Sequence, residues 1–388
     1  MYDFILFEQL YTVQNHYKDL VNLACLLKDA GYKVAFADVF KEAELCNVDG
    51  IPHVSLDIKS PQVFKEPQTY YEKKSYLKEL FLRIRKDIYL YKVIKCLNGI
   101  AYNIYAGSLT LDTPMFFMRA FRRDRNYYMW ALRSANVLNW KERKLSPYYI
   151  VSKSLYDNIH KYNNLRLIVS NELIKKEFEE KVGVKSNRLV LRPERVISQK
   201  GIVPGMGVKG KSLNLLFIGT LRPFKNVEFC LEAMKKLSNT NITYTIAGRC
   251  KTDDSYNDKI RELVAELPNV RRIDRYIPDE EYENLMNDCD FLIMCDKKQA
   301  SCASNGTMTE ALLHGKPIIA PNFDPFKYEI ERYHIGYLYE YGNIDSLCEA
   351  ITFAMRKGAE EFKEMLLAYQ ELFLREKIVN SIKSQIEQ

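Results

Sequence analysis

Residues 213–226 read LNLLFIGTLRPFKN. The opening LNLLFIG is a continuous apolar run that ends on a glycine, the composition of a strand buried on both faces of a parallel sheet. A short loop with two cations, Arg222 and Lys225, follows it, and then Val227, Leu231, Met234 and Leu237 recur at the spacing of one helix face. Strand, glycine, loop and helix in that order begin a parallel crossover unit. The alternation continues downstream. It predicts strand Thr243 to Ala247 with Gly248 behind it, helix Lys259 to Leu267, a short strand near Val270, helix Asp279 to Asn287, strand Phe291 to Cys295, helix Thr307 to His314 and strand Pro317 to Ala320. This is the pattern of a doubly wound α/β domain.

Upstream, a predicted strand from Asp3 to Phe7 leads through a polar loop to a helix with Leu20, Leu23, Ala24 and Leu27 on one face. Gly31 ends that helix and a strand from Lys33 to Ala37 follows, which makes a second crossover unit. Ala101 to Tyr105 and Arg166 to Ser170 are further strand candidates, and Asn171 to Lys181 is a polar helix closed by Gly183. Two basic segments between the strands, Lys78 to Lys95 and Pro114 to Arg133, read as helices. At Ser198 to Lys211 four glycines and a proline interrupt every periodic pattern. We therefore expect one Rossmann-like domain over 1–197, a linker over 198–211 and a second such domain over 212–365. A long charged helix runs from Ala359, and its portion 366–388 is expected to pack back toward the first domain. Two doubly wound sheets joined in this way put a cleft at the carboxyl ends of their strands, where open α/β sheets bind ligands.

Composition bounds the answer. A chain of 388 residues suits two domains, and 47% hydrophobic content with dispersed charge excludes a disordered protein. MYDFILFEQL has no basic leader and carries Asp3 and Glu8, so it reads as a first strand and not a signal peptide. No apolar run approaches the roughly 18 residues of a membrane span, and a cytoplasmic protein is expected. Nine cysteines, an odd number without paired spacing, argue against a disulfide framework. The five histidines form no cluster with them, and no structural metal is expected. A net charge of +7 favours anionic partners: nucleotide phosphates, a lipid surface or nucleic acid. The chain has no recognised nucleic-acid module and no concentrated basic tract, which disfavours the last.

Two stretches carry candidate chemistry. Gly219 allows a phosphate to approach the backbone, while Arg222 and Lys225 on the same loop have the charge to neutralise a diphosphate. An ordinary strand-to-helix turn with solvated cations is the competing reading. In SCASNGTMTEALLHGKPIIAP, residues 301–321, the small polar residues Ser304, Asn305, Gly306 and Thr307 stand at a helix start, whose amides and dipole suit a pyrophosphate. Glu310, one turn in, is placed to accept from ribose hydroxyls. Thr307-x-x-Glu310 equally spells a capping box in which the glutamate touches no ligand. Asp288-Cys-Asp290 spells a D-x-D metal motif, but it ends a helix and precedes a buried strand, and we read these aspartates as chain-turning residues.

IGTLRPFKN, TIAGRC, LMNDCDFLIM and SNGTMTEALLHGKPIIAP, in this order, resemble the donor-binding domain of GT-B glycosyltransferases, most closely family 4. The resemblance spans Leu213 to about Gly342; VSNELIKKEF near the end of the first half fits the family's acceptor domain in layout only. It implies that Lys225 contacts the donor diphosphate, that Asn305, Gly306 and Thr307 offer amides to its phosphates, and that Glu310 is the second glutamate of an E-x7-E motif. Gly219, Thr220, Gly248 and Ser304 would line the same donor site. Cys302 stands at the first motif glutamate, and Thr220 stands where an arginine usually follows the loop glycine, with Arg222 as its replacement. No metal or cofactor is expected, because the cations and the helix dipole do that work, and the resemblance implies retention of configuration at the anomeric carbon.

In the first half, Asn15 and His16 follow the first strand and are candidates for acceptor or sugar contact, against the plainer reading of a structural histidine. In KKSYLKELFLRIRKDIYLYKVIK, Leu77, Phe81, Ile84, Ile88 and Tyr91 share a face among cations, and MFFMRAFRRDRNYYMWALR repeats the mixture. Such helices suit an anionic lipid interface or, more plainly, packing on their own sheet. The expectation is a hexosyltransferase-like enzyme of polysaccharide or glycoconjugate synthesis, peripheral on the inner membrane surface. It would move a sugar from a nucleoside diphosphate sugar to a glycan or lipid-linked acceptor. Its rivals are a nucleotide-sugar epimerase on the same fold and a non-catalytic nucleotide-sugar or membrane-binding scaffold.

Overall fold

The computed structural model describes residues 1–9, 14–40, 42–58, 76–108, 115–131, 157–203, 205–238, 240–251, 254–298 and 305–387. These residues form two units. The first takes Met1–Glu194 and the stretch from Arg375 onward, and the second runs from Arg195 to Leu374. The chain divides between Glu194 and Arg195, ahead of the glycine-rich segment.

The first unit is built on a seven-stranded parallel sheet: β1 (Tyr2–Phe7), β2 (Val34–Asp38), β3 (His53–Ser55), β4 (Ala101–Ser108), β5 (Asn126–Trp130), β6 (Leu165–Val169) and β7 (Leu189–Leu191), in the spatial order β3-β2-β1-β4-β5-β6-β7. Strands run outward in both directions from the β1/β4 pair, so that pair is the switch point where a doubly wound sheet opens a crevice. The helix Gln14–Asp29 crosses from β1 to β2, and the helix Arg375–Glu387 packs on it and on β7. Arg166 fastens the second of these helices through the carbonyls of Gln385 and Ile386.

Two expectations fail in this unit and at its border. Pro114 to Arg133 is not a helix: its described part makes a 3-10 turn, Phe116–Ala120, followed by β5. The buried Asp87 carboxylate accepts the first amides of that turn, from Phe116 and Phe117, and Tyr127, Tyr128, Met129 and Trp130 are all buried in the sheet. Burial of four consecutive residues matches a central parallel strand and leaves no polar face for a helix. The run beyond Ala359 is likewise not one helix. It breaks into a 3-10 turn, Ala359–Phe362, and helices Lys363–Glu371 and Arg375–Glu387. The break comes where Leu374 pairs with Ile197 and the Phe373 carbonyl accepts the Ile197 amide.

The second unit holds a six-stranded parallel sheet: β8 (Leu213–Ile218), β9 (Ile242–Ala247), β10 (Val270–Ile273), β11 (Phe291–Ile293), β12 (Ile318–Pro321) and β13 (Gly336–Tyr339), ordered β10-β9-β8-β11-β12-β13. Its switch point lies between β8 and β11. Leu213, Leu215, Leu216, Phe217 and Ile218 are buried, as a central strand covered by helices on both faces requires. Each such side chain contributes about 1.5–3 kcal/mol on leaving water.

Candidate functional site

The chemistry-bearing residues of the second unit gather beyond the carboxyl ends of β8 and β11, at its switch point. Gly219 ends β8 with φ +138°, and its amide donates to the Ala247 carbonyl at 2.9 Å. Gly248 ends β9 with φ +127°; a Cβ there would lie 1.9 Å from the Gly219 carbonyl oxygen. These two glycines permit two strand ends to cross in contact. Leu221 then pairs with Cys250, and the loop turns through Pro223–Lys225 into the helix Val227–Lys236. Thr220 and Arg222 are half-buried on this loop.

Lys225 does not stand in solvent. Its Nζ donates to Asp296 Oδ1 at 2.7 Å and lies 5.4 Å from the Phe224 ring centroid. Asp296 follows β11, and the next amide, Lys297 N, donates to the Phe224 carbonyl at 2.7 Å. The segment after β11 is thereby tied to the loop after β8. Asp296 is 8% exposed, and its Oδ2 is buried with no hydrogen-bond partner among the described residues. Burial raises its carboxyl above the ordinary aspartate value, and the ammonium of Lys225 works in the opposite direction.

The helix Gly306–Leu313 supplies the other wall. Asn305 is its N-cap, accepting the Met308 amide at 3.1 Å. The capping box of Thr307 and Glu310 is therefore not formed: Thr307 is the second helical residue, and the carboxylate of Glu310 is engaged by Arg195 Nε. Helix geometry leaves the Gly306 and Thr307 amides without intrahelical acceptors. A Cβ on Gly219 would sit 3.8 Å from Thr307 Oγ1, so the glycine loop and the helix N-terminus meet. Ser304 and Cys302 lie outside the described residues.

Gly219 is thus brought against Gly248 and Thr307, and Lys225 against Asp296, with Thr220 and Arg222 on the same loop as Gly219 and Asn305, Gly306 and Glu310 on the same helix start as Thr307. Asn15 and His16 belong to the first unit, in the opening turn of the helix Gln14–Asp29, where the His16 ring stands edge-on to Trp130 at 5.6 Å. Asp290 of the D-x-D spends its carboxylate on the amides of Asn214 (2.7 Å) and Gly207 (3.1 Å), a structural role at the start of β8. Sequence reading missed Asp296 and Arg195. Asp296 had a signal, a lone acid directly after the apolar strand end FLIMC; Arg195, which is 115 positions from its partner, had none.

The family model described as glycosyl transferases group 1 matches residues 203–369. Among solved structures, the lipopolysaccharide outer core galactosyltransferase WaaB, in its apo form, covers 99% of both chains at 15% identity, with a TM-score of 0.66. Sucrose-phosphate synthase of Thermosynechococcus elongatus covers 99% of this chain and 98% of its own at 15% identity, TM-score 0.67. Anabaena HepE in complex with UDP covers 99% and 98% at 12% identity, TM-score 0.64. At such identities the likeness is one of fold, the GT-B fold, over the whole length. No curated protein sequence matches the chain.

Proposed function

We propose that this chain, a glycosyltransferase of the GT-B fold with a group 1 glycosyltransferase domain in residues 203–369, moves a sugar from a nucleoside diphosphate sugar to a hydroxyl of a glycan or lipid-linked acceptor. The observation that carries the donor reading is the meeting of Gly219 with Thr307, which sets the loop that bears Arg222 and Lys225 beside the helix start that bears the Gly306 and Thr307 amides. Diphosphate is the ligand that both halves suit: backbone amides and helix dipole for one phosphate, Lys225 and Arg222 for the charge that grows as the leaving group departs. HepE, bound to UDP, supports this choice by likeness of fold.

In this reading Gly219, Thr220 and Gly248 shape the loop, and Asn305, Gly306 and Thr307 grip the phosphates. Glu310 keeps lone pairs beyond the one given to Arg195 and accepts the ribose hydroxyls. The resemblance supports retention of configuration. Asn15 and His16, after β1 at the first unit's switch point, are assigned to the acceptor or sugar.

A lipid-linked acceptor is supported by the outer face of the helix Tyr76–Leu97. There Phe81 (59% exposed) and Ile88 (53%) face solvent, and Arg85 lies 5.2 Å from the Phe81 ring. Phe116, on the neighbouring 3-10 turn, is 50% exposed with Arg119 over it at 5.2 Å. Apolar groups interleaved with cations suit an anionic lipid surface at the cytoplasmic face of a membrane. No described helix is long and apolar enough to cross a membrane.

The test is release of nucleoside diphosphate from a panel of nucleotide sugars, with and without membrane extract as acceptor. Acceptor-dependent release that Lys225→Ala abolishes is expected. Undiminished turnover in that variant would refute the site, and product formed without any acceptor would point to epimerisation.

A further inference from the structure

A buried carboxylate with a bare oxygen is costly, because an ionised group that leaves water must recover its hydrogen bonds from the protein or a ligand. Asp296 is in that position beside the lysine assigned to the diphosphate. Its Oδ1 takes the Lys225 ammonium at 2.7 Å, while Oδ2 has no hydrogen-bond partner among the described residues and almost no exposure. The backbone leaves it little room to turn away, since the adjoining Lys297 amide is fixed on the Phe224 carbonyl. The other buried aspartate of this region, Asp290, is fully used by backbone amides, which shows what a purely structural aspartate looks like here.

We propose that Asp296 is a specificity-determining residue that holds Lys225 in the empty site and, when the donor binds, exchanges the ammonium for a hydroxyl of the transferred sugar. This inference rests on the donor-site reading above. The diphosphate draws the Lys225 ammonium toward itself, which uncovers Oδ1 next to the unpartnered Oδ2. A carboxylate cannot donate, so its replacement partner must bring a hydrogen, and a vicinal sugar diol offers two O–H donors to two oxygens. Glu310, engaged by Arg195 on the helix side, is assigned to the nucleoside end. Asp296, bonded to the diphosphate lysine, is left to the sugar end. A nucleoside diphosphate without its sugar draws the lysine away and offers nothing in return.

The experiment compares a nucleotide sugar with its parent nucleoside diphosphate by calorimetry on the full chain. The probes are UDP-glucose, UDP-galactose, UDP-N-acetylglucosamine and GDP-mannose, against UDP and GDP. Asp296→Ala is expected to weaken the best nucleotide sugar about tenfold or more, the worth of hydrogen bonds to a charged group, and to leave the parent diphosphate unchanged or tighter. Equal weakening of both ligands would make Asp296 a mere support for Lys225 and overturn the proposal, as would no change in either. Asp296→Asn, nearly identical in shape, carries the same comparison should the alanine variant not fold, with the same direction expected. If the wild type binds the parent diphosphate and Lys225→Ala binds it equally well, the donor-site reading itself has failed, and this inference fails with it.

Discussion

Two cation–carboxylate pairs flank the candidate site, and they differ in kind. Lys225 and Asp296 are enclosed, with side-chain exposures of 18% and 11%, whereas Arg195 and Glu310 stand at 36% and 27%. An enclosed pair has already given up its water, so removing one partner strands the other. An open pair keeps water as a substitute and is worth little by itself. In the proposed site the same chemistry would therefore act at one end through electrostatic force and at the other through orientation.

Breaking the enclosed pair should have the largest effect. Lys225→Ala is expected to lower kcat/KM about a hundredfold or more, the usual cost of one positioned charge-stabilising donor. It should also destabilise the fold by on the order of 3 kcal/mol, because Asp296 is left buried without its cation. Burial already raises the Asp296 carboxyl, and loss of the lysine raises it further. A raised folded-state value favours the native protein below the unfolded value and costs stability as pH climbs through the folded one. The melting difference between wild type and Lys225→Ala should thus shrink on acidification; a gap that widens would contradict the pairing.

Gly248→Ala comes next, since it disturbs the lysine loop without touching the open pair. Its new Cβ would collide with the Gly219 carbonyl from a left-handed backbone, and a loss of about 2–3 kcal/mol is expected in chemical denaturation. Donor affinity should fall with it. Arg195→Ala is milder. The expected change is a rise of roughly three- to tenfold in donor KM at low salt with kcat nearly constant, as for the loss of an open ion pair worth about 1 kcal/mol. Added salt should mask it. A kcat loss as large as that of Lys225→Ala would erase the distinction between the pairs. The smallest effect on activity belongs to Glu329, outside both pairs, whose carboxyl burial pushes up to about 7. Its raised value means stability is lost as pH rises toward and through that point, by at most about 1.4 kcal/mol per pH unit. Glu329→Gln should flatten the melting temperature between pH 5 and pH 8 and leave turnover unchanged.

What the sequence disclosed follows the same division between local and distant. LNLLFIGTLRPFKN is decided within its own residues: strand burial, a glycine at the crossing and a helix start are all local, and β8 with its loop forms as read. Asn305 to Glu310 was legible as a helix start but not as to which residue caps it. Asn305 and Thr307 are both good caps; in the structure Asn305 takes the position, and the Glu310 carboxylate is engaged by Arg195, which lies far off in sequence. The aromatic run before Trp130 misled because its arginines imitate a solvated helix face; Arg122 in fact pairs with Asp124, and Arg125 bonds the Asn98 carbonyl. Strands of three or four residues, such as β3, β7 and β13, hold too few positions to show a period, and their neighbours in the sheet define them.

The helix Arg375–Glu387 belongs with the first unit, although the whole second unit separates it from Glu194. Its Ile378 and Ile382 are buried, and Ile382 and Ile386 help line a small internal space with Phe4, Leu23 and Leu27. During synthesis the early half must consequently wait, with an apolar seam uncovered, for roughly ten to forty seconds while the ribosome adds the intervening residues. The later half leaves the ribosome as a contiguous piece and is free to mature before its predecessor.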